Sequence, residues 1–128
     1  MNRIMVWLSA GMALIGGAVC LADMPGYRDG IAVDQATVVW HKSLNSGWQE
    51  SRRRGVPMVI FITSDRCHYC DAMKRDTWCD QSVRERLATD FVAIRLTPQD
   101  NAQVLSRIKV SSYPTTLIGV PQGKIVDH

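Results

Sequence analysis

The 128 residues contain no internal repeat and no low-complexity segment, which excludes repeat arrays and compositionally biased tails. Cysteine is sparse. Cys20, Cys67, Cys70 and Cys79 are the only four, too few to staple a scaffold, so the fold has to stand on a hydrophobic core. Charge of one sign is not in large excess either: fifteen Lys and Arg face twelve Asp and Glu, a formal net charge of +3. The one basic run, Arg52-Arg53-Arg54, reads as solvated residues complementing the C-terminal dipole of a helix that ends before Gly55. Nothing in that balance calls for a nucleic-acid partner. The length leaves room for one domain at most, and no cofactor is expected.

The N-terminus holds a long uncharged run. Arg3 supplies a short positive region, Ile4 to Ala22 carry no charge, and Cys20-Leu21-Ala22 offers a small residue ahead of Asp23. That pattern marks residues 1–22 as a secretory signal peptide or, because nineteen uncharged residues nearly span a bilayer, as an uncleaved N-terminal anchor. Val19 before Cys20 argues against lipidation there. The chain is therefore expected to be exported to a periplasmic or other extracytoplasmic compartment, where disulfides persist. It meets a membrane only if the segment stays attached. Residues 23–35, with Pro25-Gly26 and Asp29-Gly30, read as an irregular lead-in, and a domain over 36–128 follows.

Within that domain, Cys67-His68-Tyr69-Cys70 comes after the apolar run Met58 to Thr63 and opens a helical stretch. Cysteines at i and i+3 of a helix start lie on one face within disulfide reach, and the unpaired N–H groups there stabilise a thiolate. Cys67, nearer the helix start, is expected to be the nucleophile, with Arg66 and His68 tuning its ionisation, and Cys70, one turn inward, the resolving cysteine. Two other readings stay open: a structural disulfide, or a metal ligand pair. A structural metal site wants four ligands, the only nearby additions are His68 and Cys79, and no metal is assigned. Cys79 reads as a small buried apolar residue, with a second resolving role as the alternative.

Along the domain, Thr37 to Trp40 predicts a short strand. Ser43 caps a helix carrying Leu44 and Trp48, which Gly55 and Pro57 stop. Met58 to Thr63 predicts a strand buried on both faces. Asp80 caps a short turn with Val83 and Leu87, Phe91 to Leu96 predicts a strand, and Asp100 starts a helix with Val104, Leu105 and Ile108 on one side. Thr115 to Val120 predicts a strand that Pro121-Gln122-Gly123 turns into Lys124-Ile125-Val126. Trp40, Trp48 and Trp78 are expected to pack in or around the core, and His41 and His128 to face solvent.

This order predicts an α/β domain, a mixed central sheet with helices on both faces. Three features in sequence, the strand-to-CxxC junction Met58 to Cys70, the step Tyr113-Pro114-Thr115, and the closing hairpin around Gly123, resemble the thioredoxin-like superfamily. The resemblance covers about Val38 to His128. It implies a thioredoxin-like fold whose Pro114 is the cis-proline facing the cysteines, with Tyr113, Pro114 and Thr115 binding substrate. It also implies a thiol-disulfide oxidoreductase acting on protein or small-molecule disulfides and dithiols, with a separate redox partner. The rival is a non-catalytic binding or metal-handling module with a structural CxxC.

The chain departs from the cytosolic thioredoxin pattern. Phe61 stands six residues before Cys67, where those proteins carry an acid; Arg66 replaces the Trp before the first cysteine; and His68-Tyr69 replaces Gly-Pro. These changes put a reductase role in doubt and favour a better oxidant. Such domains also usually add a helix after the hairpin. With Asp127-His128 closing this sequence, one sheet face and an edge are expected to lack cover, either because the sequence is a fragment or because a partner covers them.

Overall fold

The computed structural model describes residues 37–128; the signal or anchor and the lead-in expected over 1–35 lie outside the described residues. Among the described residues, five strands and four α-helices follow in the order β1 (Trp40–His41), α1 (Leu44–Arg54), β2 (Met58–Ile62), α2 (His68–Met73), α3 (Gln81–Asp90), β3 (Val92–Leu96), α4 (Pro98–Ile108), β4 (Thr115–Gly119) and β5 (Ile125–Asp127). A π-helical turn, Lys74–Trp78, continues α2. The sheet order is β1-β3-β2-β4-β5, with β1, β3 and β2 parallel and β4 and β5 antiparallel to their neighbours. The α/β fold with its mixed sheet is the one the sequence predicts.

β2 is buried along its whole length because both of its faces are covered. Met58, Ile60 and Ile62 point into a cluster with Val92, Ile94, Leu96, Leu105 and Leu117, against which Leu44 and Trp48 of α1 and Val104 and Ile108 of α4 pack. On the opposite face, Phe61 meets the rings of Trp40 and Trp78 edge-on at 6.2 and 5.4 Å. Period-two alternation places these two sets on opposite sides. α1 lies close to β3: a Cβ added at Gly47 would fall on the Ile94 side chain.

Local chemistry sets the helix ends. The Ser43 hydroxyl accepts from Ser46 N–H at 3.2 Å, and Gly55, at φ 69°, closes α1 by donating to the Ser51 carbonyl; glycine takes that left-handed conformation without steric cost. Asp80 Oδ1 accepts from Val83 N–H at 3.1 Å. The carboxyl of Asp80 is held below its ordinary range first by the Ser82 hydroxyl and then by this N–H.

Four expectations change. α4 begins at Pro98 rather than Asp100: Thr97 is the N-cap, its hydroxyl accepting from Asp100 N–H at 3.3 Å, and proline at the first helical position forfeits only an N–H that has no partner in a helix. The segment after Asp80 is a ten-residue helix, not a short turn. β1 shrinks to Trp40–His41, and His41 is half-buried while His128 is exposed. Arg54 is not simply solvated. It is half-buried and donates to the carbonyls of Phe91 at 2.9 Å, Ala88 at 3.1 Å and Thr89 at 2.8 Å, which satisfies the end of α3. Arg53 pairs with Glu50, and Arg52 lies 5.5 Å over the Trp48 ring.

At the sheet edge Ile125 and Val126 are 46% and 58% exposed. Among the described residues, no helix is long and apolar enough to cross a membrane.

Candidate functional site

The site grows from the end of β2. After Ile62 the chain passes through Thr63 and Ser64 into a turn at Asp65-Arg66, where Arg66 takes φ 55°, a conformation unusual for a residue with a Cβ. That turn delivers Cys67 as the N-cap of α2. Its backbone is extended, its carbonyl accepts from Asp71 N–H at 3.1 Å, and its sulfur accepts from Cys70 N–H at 3.2 Å. Sulfur thus takes the place of the serine or aspartate oxygen usual at this position.

Cys67 and Cys70 form a disulfide, with Cα atoms 5.1 Å apart. The two sulfur-bearing residues differ in environment: Cys67 is half-buried, whereas Cys70 is fully buried. His68 and Tyr69 point outward, their rings meeting edge-on at 5.7 Å, and Tyr69 is 73% exposed. Arg66 is exposed beside Cys67. The expected grouping of Arg66, Cys67, His68 and Cys70 at one helix start is therefore present.

β4 brings the second half of the site. Ile62 pairs with Thr115 and Phe61 with Thr116 across the antiparallel β2–β4 ladder, which sets the segment before Thr115 beside the loop leaving β2. The Tyr113–Pro114 peptide bond is cis, as the resemblance implied, and Tyr113 is 36% exposed. The Thr115 hydroxyl donates to the Ser112 carbonyl at 2.7 Å, fixing the turn. Thr116 Oγ1 reaches Met73 Sδ at 4.0 Å, linking β4 to α2.

Beneath the site, Phe61 is 1% exposed and enclosed by Trp40 and Trp78, whose own rings meet at 5.6 Å. No carboxylate occupies that position. Cys79, at the end of the π-helical turn, is half-buried rather than fully buried, and no cysteine among the described residues is a free thiol. Also among the described residues, no group of three His, Cys, Asp or Glu could hold a metal ion.

One contact at the turn before Cys67 escapes sequence reasoning. Gln99 Nε2, in the first turn of α4, donates to Asp65 Oδ2 at 3.2 Å. The two lie 34 positions apart in unconnected segments, and only the parallel pairing of β2 with β3 brings them together.

Comparison with known proteins agrees with this geometry. The family described as thioredoxin-like matches residues 39–121, and no curated protein matches the sequence. Among solved structures, a DsbH oxidoreductase is similar with a TM-score of 0.65 and 16% identity, over 81% of this chain and 80% of that one. A thioredoxin from Thermus thermophilus gives 0.62 and 20%, over 70% and 71%. A disulphide isomerase from Xylella fastidiosa Temecula1 gives 0.56 and 16%, over 65% and 67%. At these identities the likeness is one of fold.

Proposed function

The chain belongs to the thioredoxin-like family, and from that premise we propose that it is an exported thiol-disulfide oxidoreductase in which Cys67 exchanges with substrate and Cys70 resolves. The observation that carries the reading is the asymmetry of the pair. Cys67 is accessible and receives an N–H at a helix start, while Cys70 is sealed beneath it. Helix-start donors favour a thiolate on the outer sulfur. Arg66 adds positive charge beside it in the chain, and the uncharged run Ile4 to Ala22 after Arg3 supports export.

In the oxidising direction a substrate thiolate attacks Cys67 sulfur. The Cys67–Cys70 bond breaks, its electron pair goes to Cys70, and a mixed disulfide joins substrate to Cys67. A second substrate thiolate then attacks the substrate sulfur of that bond and releases Cys67 as the thiolate. In the reverse direction it is Cys70 that attacks the Cys67 sulfur of the mixed disulfide, which is the resolving step that Cys70→Ser blocks. Two electrons pass to the Cys67/Cys70 pair and the substrate gains one disulfide. Of the two protons its thiols give up, one is taken by Cys70 and the other goes to solvent while Cys67 stays a thiolate. A separate redox partner must remove those electrons. Tyr113, Pro114 and Thr115 border the exchange site and offer backbone polar groups to an extended substrate. Phe61 stands where an internal acid would accept the Cys70 proton, and the Arg66 cation favours the reduced form; both support the oxidising direction.

The test is trapping. Cys70→Ser should accumulate mixed disulfides on Cys67, seen as higher-mass species on non-reducing gels of cell extracts, while Cys67→Ser should accumulate few. Equal trapping by both variants would overturn the assignment of roles. No trapping by either would favour the non-catalytic binding module.

A further inference from the structure

α2 and α4 start at the same end of the sheet, from adjacent strands. β2 and β3 are parallel neighbours, and each passes the chain to a helix at its C-terminal end, β2 through Thr63 to Arg66 into α2 and β3 through Thr97 into α4. The junctions are joined twice. Thr63 N–H donates to the Leu96 carbonyl at 3.0 Å, and beyond it Gln99 Nε2 donates to Asp65 Oδ2 at 3.2 Å. Asp65 is two residues before Cys67, across the left-handed Arg66.

Where that carboxylate rests matters to the sulfur. Cys67 holds the N-cap position with its sulfur on Cys70 N–H, yet a carboxylate oxygen is much the stronger acceptor for first-turn N–H groups. A carboxylate turned toward α2 would also oppose a Cys67 thiolate by charge. The other carboxylates around the site have partners on their own segments, and the Arg66 guanidinium is positive. Asp71 on α2 is paired with Lys74 at 3.4 Å, Asp100 on α4 accepts from the Thr97 hydroxyl at 3.2 Å, and Arg66 and His68 flank Cys67. Tyr113 precedes the cis-proline on the β4 side. Of the three carboxylates, Asp65 is the one held from a different element.

We propose that Gln99 is a positioning residue for the exchange site: by keeping the Asp65 carboxylate on the α4 side, it leaves the first-turn N–H groups of α2 to the Cys67 sulfur and holds a negative charge away from it. The inference deepens the oxidoreductase reading and rests on Cys67 as the attacking thiol.

The experiment follows alkylation of Cys67 by iodoacetamide against pH, read at the Cys67 peptide by mass spectrometry. It uses the reduced full chain as wild type, Gln99→Ala, Asp65→Asn and the double variant. Gln99→Ala should raise the midpoint by up to about 0.4 pH unit, the effect of a unit charge brought from far away to about 8 Å in water, and slow alkylation at pH 7 by up to about two- to threefold. The shift should shrink in 1 M salt and vanish in the Asp65→Asn background. An unchanged midpoint in Gln99→Ala, or the same upward shift with Asn at position 65, overturns the inference while leaving the oxidoreductase reading intact. A wild-type Cys67 that reacts at no pH overturns both.

Discussion

Phe61 and Trp78 meet edge-on at 5.4 Å, so the last strand residue but one before the CxxC loop and the last residue of the π-helical turn behind α2 share one aromatic contact. With Trp40 completing the group, the floor of the site is a packed apolar block. Truncating its centre removes transfer energy and leaves a cavity. Phe61→Ala should therefore lower stability by about 3–5 kcal/mol, measured as a lower urea midpoint at unchanged m-value. A loss below about 1 kcal/mol would mean that the three rings do not pack as described.

The position of Cys67 at the start of α2 leads to a second expectation. In the reduced chain its alkylation midpoint should fall below about 8.5, the value of a free cysteine, and Arg66→Gln should move it upward by removing a guanidinium cation. Equilibration with glutathione buffers should show the same variant as a weaker oxidant, since a less stabilised thiolate makes the reduced form less favourable. A wild-type midpoint at or above 8.5 would remove Cys67 as the nucleophile.

Arg54 joins the end of α1 to the end of α3 through three carbonyls. Arg54→Met keeps much of the aliphatic stem but leaves those carbonyls without their charged donor. The expected cost is about 1.5–3 kcal/mol, whereas Arg52→Met and Arg53→Met, at exposed positions, should each cost less than about 1 kcal/mol. Thermal melts of the three variants separate the structural arginine from its solvated neighbours.

Acid should act on α3 through its cap. The Ser82 hydroxyl and then the Val83 N–H hold the Asp80 carboxyl below its ordinary range, so its contribution to stability is complete above the unfolded-state value near 3.9 and is lost as pH falls through the lower folded value. Asp80→Asn retains an acceptor at the N-cap without titrating. It should match wild type near neutrality and lose less stability between about pH 4 and pH 2. Parallel urea titrations at several pH values check this, and identical acid profiles for the two proteins would count against the cap as a source of acid sensitivity.

What could be read from the sequence follows how local each interaction is. Ser43, Cys67 and Asp80 were recognisable as helix starts because a cap bonds to an N–H three positions away, and Met58 to Ile62 was recognisable as a buried strand because nothing polar interrupts it. α4 was misplaced although its signals are local: Thr97 and Asp100 are both good capping residues, and Pro98 decides between them only when it is assigned to the first helical position. Arg54 and Gln99 were invisible for a different reason. Their partners lie 34 to 37 positions away, in segments whose alignment depends on strand register. The cis Tyr113–Pro114 bond was anticipated from the ordered resemblance and not from the dipeptide, since few X-Pro bonds are cis.

The indole of Trp48 donates to the Pro121 carbonyl at 2.9 Å, across 73 positions of sequence, and Gly123 at φ 84° lies against the same ring. The first helix of the described domain therefore has its docking completed by the turn of its final hairpin. Such long-range closure must be made before the contact returns any energy, which places it late in folding. Once made, it couples the two ends, so that amides of β4 and of α1 should exchange with deuterium as one cooperative unit rather than as separate pieces.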